Sequence, residues 1–269
     1  MEIVKFKKGK SNVYTVYFDN TLSLKLYDDV IVKYNLLVNK NMDDKLLEEI
    51  TNYNDYLDGY YKAIKYIMKK LRSEKEVYLY LQKLNINESN IKSLIDKLKH
   101  DGYINQSNYI KAYINDQINL TLNGPYKIKN ELIKLGFNSD EIDSYLNEFN
   151  DLWISRIDKI IDKKIKLNKQ AGSNKLKLKI TNEIINMGYE KYDIINLLNE
   201  KKFNDEELIL KEYRKAYKKF SIKYKDNLNY KIKDYLYKKG YDISLIEGVI
   251  NNEEERRKTK NYFDVFEKS

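Results

Sequence analysis

Lys8-Gly9-Lys10-Ser11 is the first stretch whose residue types could do chemistry, because a Gly-Lys-Ser tripeptide closes the loop that wraps nucleotide phosphates. That loop also needs a glycine five residues earlier. Val4 stands there, so a turn between two strands is the better reading. His100 is the chain's single histidine and precedes Asp101-Gly102, where a helix should end. A cation there suits the negative end of a helix dipole. With one His and no Cys, zinc sites, thiolates and disulfides lack ligands. Asp43-Asp44 and Glu48-Glu49 fit helix-surface charge, and no nucleophile or paired-carboxylate constellation is apparent. The expectation is a protein that is not an enzyme, with no catalytic residue, metal or cofactor.

What remains is basic. Fifty Lys and Arg against 41 Asp and Glu give a net charge of +9, which favours a polyanionic partner. Only five of the fifty are Arg, and Lys, Asn, Ile and Tyr abound, the profile of AT-rich codons. Charge alone therefore leaves function open. The partner- or DNA-binding candidates are Arg72 and Lys75; Lys127, Lys129 and Lys134; Lys175, Lys177 and Lys179; Lys231 and Lys233. Lys69, Lys70, Lys238 and Lys239 lie beside them. Together they are expected to line one face and meet acidic protein or DNA phosphate. The plainer alternative is that amphipathic helices of a Lys-rich protein simply carry Lys outside. The 26 tyrosines could stack on bases, but at helical spacing, as with Tyr109 and Tyr113, core packing is favoured.

These residues sit on a repeated frame. Four segments read as helix, break, a few polar residues and a second amphipathic helix, with breaks at Asn85, Gly136, Gly188 and Gly240, which are 51, 52 and 52 positions apart. Asn and Gly best tolerate the left-handed conformation that ends a helix. Before each break an apolar pair four apart stripes one face: Val77 and Leu81, Ile128 and Leu132, Ile180 and Ile184, Ile232 and Leu236. After it come triples at i, i+3, i+4: Ile91, Leu94, Ile95; Ile142, Tyr145, Leu146; Ile194, Leu197, Leu198; Ile246, Val249, Ile250. Helical apolar spacing at 56–70, 107–120, 153–167 and 206–220 supplies a third helix per unit. Ser73 with Glu76 forms a capping box, and Gly124-Pro125 starts the equivalent helix of the next unit.

The spacing thus predicts a mainly α protein of four tandem three-helix repeats, stacked into a curved, elongated array. Residues 1–34 alternate apolar and polar side chains as strands do, with Asp19-Asn20 as a two-residue hairpin turn. The boundaries expected are 1–52 for a β-rich segment with a short helix near Asp43–Thr51, then repeats at 53–104, 105–152, 153–204 and 205–252. A charged, frayed tail at 253–269 follows, in which Tyr262, Phe263 and Phe266 could dock. No run of signal-peptide or membrane-span length occurs, so a cytoplasmic, monomeric protein without membrane contact is expected.

AIKYIMKKLRSEKEVYLYL, through Ala63, Ile67, Arg72, Ser73, Glu76, Val77 and Leu81, resembles a signature of the RecX family, regulators of the RecA recombinase. YIKAYINDQINLTLNGPYKIKNELIKLGF resembles the next, through Ala112, Tyr113, Gly124, Pro125, Ile128, Glu131, Leu132 and Gly136. The segment at 29–50 is similar to that leading into the repeats of long Gram-positive members, and the likeness covers residues 1–200. Asn105-Gln106 stands where the family often has an acidic pair, and helices that are Arg-rich in the family are Lys-rich here, so the resemblance carries over no partner-binding Arg but Arg72. The resemblance implies a non-enzymatic modulator that binds the RecA filament on single-stranded DNA and damps its ATPase and strand exchange, with weak direct DNA binding in some members. Two other classes stay open: a nucleic-acid-binding protein of helix-turn-helix-like repeats acting without RecA, and a helical scaffold, although tetratricopeptide units are shorter, at about 34 residues.

Overall fold

The computed structural model describes residues 1–266, with side chains to residue 259. Three strands, β1 (Ile3–Lys8), β2 (Val13–Phe18) and β3 (Ser23–Tyr27), form an antiparallel sheet in chain order. Val16 and Phe18 point to the buried face with the two-residue period of a strand. Gly9-Lys10-Ser11 does lie in the β1–β2 turn, where the Gly9 amide donates to the Val13 carbonyl. The β2–β3 turn departs from the two-residue expectation. Phe18 pairs with Leu22, leaving Asp19, Asn20 and Thr21 in the loop, and Thr21 takes a left-handed φ of 68°. A three-residue hairpin needs such a residue at its end to match strand twist.

After the short α1 (Asp28–Lys33) comes α2 (Asp44–Ile67), one 24-residue helix capped by the Asp43 side chain. The expected separate short helix is therefore the first turns of a longer one. α2 serves two cores along its length. Ile50 and Leu57 join Ile3, Val16, Phe18 and Leu26 under the sheet. Tyr60, Ala63 and Ile67 join Val77, Leu81, Ile91, Leu94 and Leu98 in the first bundle. Tyr27 ties the sheet to α2, its hydroxyl donating to Asp58 at 2.9 Å, and burial with that bond pushes its pKa to about 12.

The remaining helices come in threes. α3 (Glu74–Lys83) and α4 (Glu88–His100) complete the first set; α5 (Gln106–Leu120), α6 (Pro125–Lys134) and α7 (Ser139–Asn147) form the second. α8 (Asn150–Leu167), α9 (Ser173–Asn186) and α10 (Lys191–Glu200) form the third; α11 (Asp205–Phe220), α12 (Leu228–Lys238) and α13 (Ile243–Phe266) the fourth. Asn85, Gly136, Gly188 and Gly240 all have positive φ, between 60° and 96°, each ending the middle helix of its set. The chain divides into two compact units. One is Met1–Tyr113 with Leu132–Asn138, the other Ile114–Glu131 with the chain from Ser139 onward.

The segment after Asn252, expected to fray, continues α13 as helix to Phe266. Arg257 anchors it, donating to the Tyr213 hydroxyl at 2.7 Å and lying 3.4 Å from the Tyr217 ring centroid. A docking of Tyr262, Phe263 and Phe266 lies outside the described side chains. Among the described residues no helix is long and apolar enough to cross a membrane.

Candidate partner interface on the middle helices

Arg72 and Lys75 enter with the start of α3. Ser73, fully buried, accepts the Glu76 amide while the Glu76 carboxylate accepts the Ser73 amide at 2.9 Å, the predicted capping box. Arg72 donates to the other Glu76 oxygen at 2.9 Å, and its guanidinium lies 4.0 Å from the centroid of Tyr66, itself stacked on Tyr80. Burial raises the Glu76 pKa, but the Ser73 amide and Arg72 outweigh it and hold the carboxyl below its usual range. Arg72 thus serves the repeat's own packing. The Lys75 ammonium donates to the Lys134 carbonyl at 3.0 Å, and its stem lies over Gly136.

In the second unit, the starts of α6 and α9 are built differently. The Gly124 and Tyr126 amides donate to the Met187 and Gly188 carbonyls at 2.7 and 3.0 Å. One repeat on, the Gly172 and Asn174 amides donate to the Lys239 and Gly240 carbonyls at 2.9 and 3.2 Å. The N-terminus of each helix is therefore capped by the spent C-terminus of the next repeat's middle helix, positive dipole end against negative. A Cβ on Gly124 would come within 2.6 Å of the Gly188 carbonyl, and one on Gly172 within 2.4 Å of Gly240. Glycine is required at both positions for close approach. Asp205 completes the α9 cap by accepting the Ser173 amide at 3.0 Å with both oxygens.

The candidate lysines divide by what they touch. Lys127 and Lys175 press backbone and Cβ against Gly188 and Gly240, and Lys175 reaches the Lys238 carbonyl at 3.2 Å. Lys129 pairs with Asp143 at 2.5 Å, Lys233 with Glu247, and Lys179 loosely with Glu183 at 3.9 Å. Lys177 lies 5.0 Å from the Phe203 ring centroid, and Lys231 5.3 Å from that of Tyr224. Lys134 is exposed. Lys175 and Lys179 share a cavity of about 610 Å³ with Lys164, Lys169 and Lys239, opposed there by Glu183. Arg72, Lys75 and Lys134 belong to the first unit, the other candidates to the second.

Charge is sorted by helix. α6, α9 and α12 each carry three Lys to one acid, whereas α7 carries Asp140, Glu141 and Asp143 and no base. Among the described residues, no three His, Asp or Glu side chains gather as metal ligands.

Sequence reasoning passed over two charged residues. Arg156 donates to the Ile118 and Thr121 carbonyls, closing the end of α5. Glu212 is fully buried and accepts from Lys215 at 2.7 Å, Lys239 at 2.7 Å and Tyr235 at 3.0 Å. Burial raises its pKa, yet these partners win and hold it below the usual range. An acid at the apolar register of Ile209, Tyr213 and Ala216 was the available signal.

No family model matches the chain. A curated protein of Streptococcus agalactiae serotype Ia, named Regulatory protein RecX, is 35% identical over 256 residues, spanning 93% of this chain and 98% of the relative. The chain belongs to the RecX family. A Staphylococcus aureus RecX is 29% identical over 91% of this chain. Among solved structures, a RecX crystal structure matches with TM-score 0.66 over 74% of this chain and 99% of its own at 19% identity, a likeness of fold. RecX from Lactobacillus salivarius matches with TM-score 0.53 at 27% identity, over 55% of this chain and 97% of its own. In this RecX-family chain α6, α9 and α12 combine a three-to-one excess of Lys over acid with the backbone junctions α6–α9 and α9–α12.

Proposed function

We propose that this protein binds the RecA filament on single-stranded DNA and lowers its ATPase and strand-exchange activity, acting as a cytoplasmic monomer through the basic middle helices. Membership of a family of regulatory proteins along nearly the whole chain carries the reading. The sorting of Lys onto α6, α9 and α12 supports it, because tandem repeats offering the same charge can engage successive protomers and gain affinity by multivalency. Such a modulator acts by favouring one filament state over another.

The test is the ATPase rate of the cognate RecA on single-stranded DNA with substoichiometric protein added. A fall well below one-to-one stoichiometry is expected. An unchanged rate at low salt would reject the reading. Gel shifts on bare DNA that weaken steeply with salt would then favour direct nucleic-acid binding.

A further inference from the structure

The polar faces of the middle helices are not uniformly polar. Within the second unit α6 exposes Tyr126, α9 exposes Leu178 and Ile185, and α12 exposes Tyr230 and Tyr237, with exposures from 36% to 69%. The α9 and α12 pairs are each seven residues apart, which returns the side chain to the same helix face. Tyr126, Leu178 and Tyr230 follow one another at intervals of 52, the period of the repeat itself. The five lie opposite the core residues Ile128, Ile180 and Ile184, Ile232 and Leu236 of their helices. A single exposed Leu or Tyr is ordinary. Five in one register are a built feature.

We infer that this register is a docking surface for an acidic protein face that carries apolar side chains, an inference resting on the filament-binding reading above. Three observations choose that occupant. With Lys129, Lys179 and Lys233 paired to acids, Lys127 on α6, Lys175 and Lys177 on α9 and Lys231 on α12 still make no ion pair among the described residues, so the complement is acidic. Leu178 and Ile185 have no π-face on which a nucleobase could stack, so the α9 part of the register suits a protein and not a single strand. And the register continues across the backbone junctions of the second unit: Ile185 ends α9 just before the Met187 and Gly188 carbonyls that receive α6, and Tyr237 ends α12 just before those that receive α9. α3 has Lys75 and Gln82 at the corresponding positions and lacks the surface.

The experiment uses the full chain carrying Leu178→Ser, Ile185→Ser and Tyr237→Ser. Helix content and melting temperature are checked, and affinity is measured for the cognate RecA filament and for bare single-stranded DNA. Filament affinity should fall about tenfold or more, as when apolar anchors leave an interface, with bare-DNA affinity unchanged. A companion with Leu178→Met, Ile185→Leu and Tyr237→Phe should bind normally, and so should Gln82→Ala. Filament affinity within about twofold of the unmodified protein would overturn the surface alone. Equal loss on bare DNA would make nucleic acid the occupant and overturn it too. Failure of the unmodified protein to bind the filament would overturn the RecA reading and this surface with it.

Discussion

The start of α3 and the start of α9 face the same problem, a row of helix N-terminal amides without intrahelical acceptors, and solve it with different partners. α3 closes on itself, through Ser73, Glu76 and Arg72, all within five residues. α9 is closed from a distance, by carbonyls of Lys239 and Gly240, and α6 likewise by Met187 and Gly188. A self-closed start is complete in a lone repeat. A start closed by the next repeat couples the folding of the two, the nearest-neighbour interface on which tandem repeat proteins depend. α6, α9 and α12 therefore both join the repeats of the second unit and carry the proposed binding surface, so a broken junction should disturb that surface as well.

Gly172→Ala attacks that coupling most directly. The added methyl would meet the Gly240 backbone at 2.4 Å, where no side chain can swing aside. Two backbone hydrogen bonds and the Lys175 contact would be displaced together, a cost of about 3 kcal/mol. Chemical denaturation should show a lowered midpoint, and hydrogen exchange should rise at the Gly172 and Asn174 amides. A midpoint unchanged would mean that the long-range cap contributes little.

The next largest contrast compares glycines of similar φ. Gly136, Gly188 and Gly240 lie at 96°, 94° and 91°, so alanine strains each alike, by about 1–2 kcal/mol. Their surroundings differ. A Cβ on Gly136 sits 3.4 Å from the Lys75 stem, whereas on Gly188 and Gly240 it meets the amide nitrogens of Lys127 and Lys175 at 2.6 and 2.5 Å. Gly188→Ala and Gly240→Ala should each cost about 2 kcal/mol more than Gly136→Ala in denaturant titrations. Equal costs for all three would show that backbone strain alone, and not the seam, sets the penalty.

The breaks at 85, 136, 188 and 240, the apolar triples behind them and the capping box were legible because helical period and cap chemistry are local. Gly124 was legible only as a helix start. Its real constraint is a carbonyl 64 positions away, which no local pattern encodes. Lys75 and Lys175 read as solvent-facing charge, yet both ammoniums also close carbonyls of another repeat. α2 was cut short because its first turns pack on the sheet and its last turns on the first bundle, which breaks the single-face pattern of a helix with one neighbour. The exposed register of Tyr126, Leu178 and Tyr230 could have been found by applying the repeat period to the outer face as well as the core.

The smallest effect belongs to the self-closed start, and it carries a pH signature. Glu76 is a carboxylate whose folded pKa lies below its ordinary value near 4.3, because the Ser73 amide and Arg72 favour the charged form. Its contribution is fully present above the unfolded pKa and is lost as pH falls through the depressed folded value. Glu76→Gln keeps an acceptor for the Ser73 amide but removes the charge facing Arg72, so at neutral pH it should cost only about 1 kcal/mol. Below about pH 4 the difference from the unmodified protein should shrink as Glu76 itself takes up a proton. The Gly172 and Asn174 amides pair with backbone carbonyls, which do not titrate, so with Asp205, the one carboxylate of this cap, replaced by Asn in both proteins the cost of Gly172→Ala should hold over the same range. Urea titrations of both variants at neutral and acid pH measure the two slopes. A Glu76→Gln cost independent of pH would mean that Arg72 is held by the Tyr66 and Tyr80 rings and not by the carboxylate.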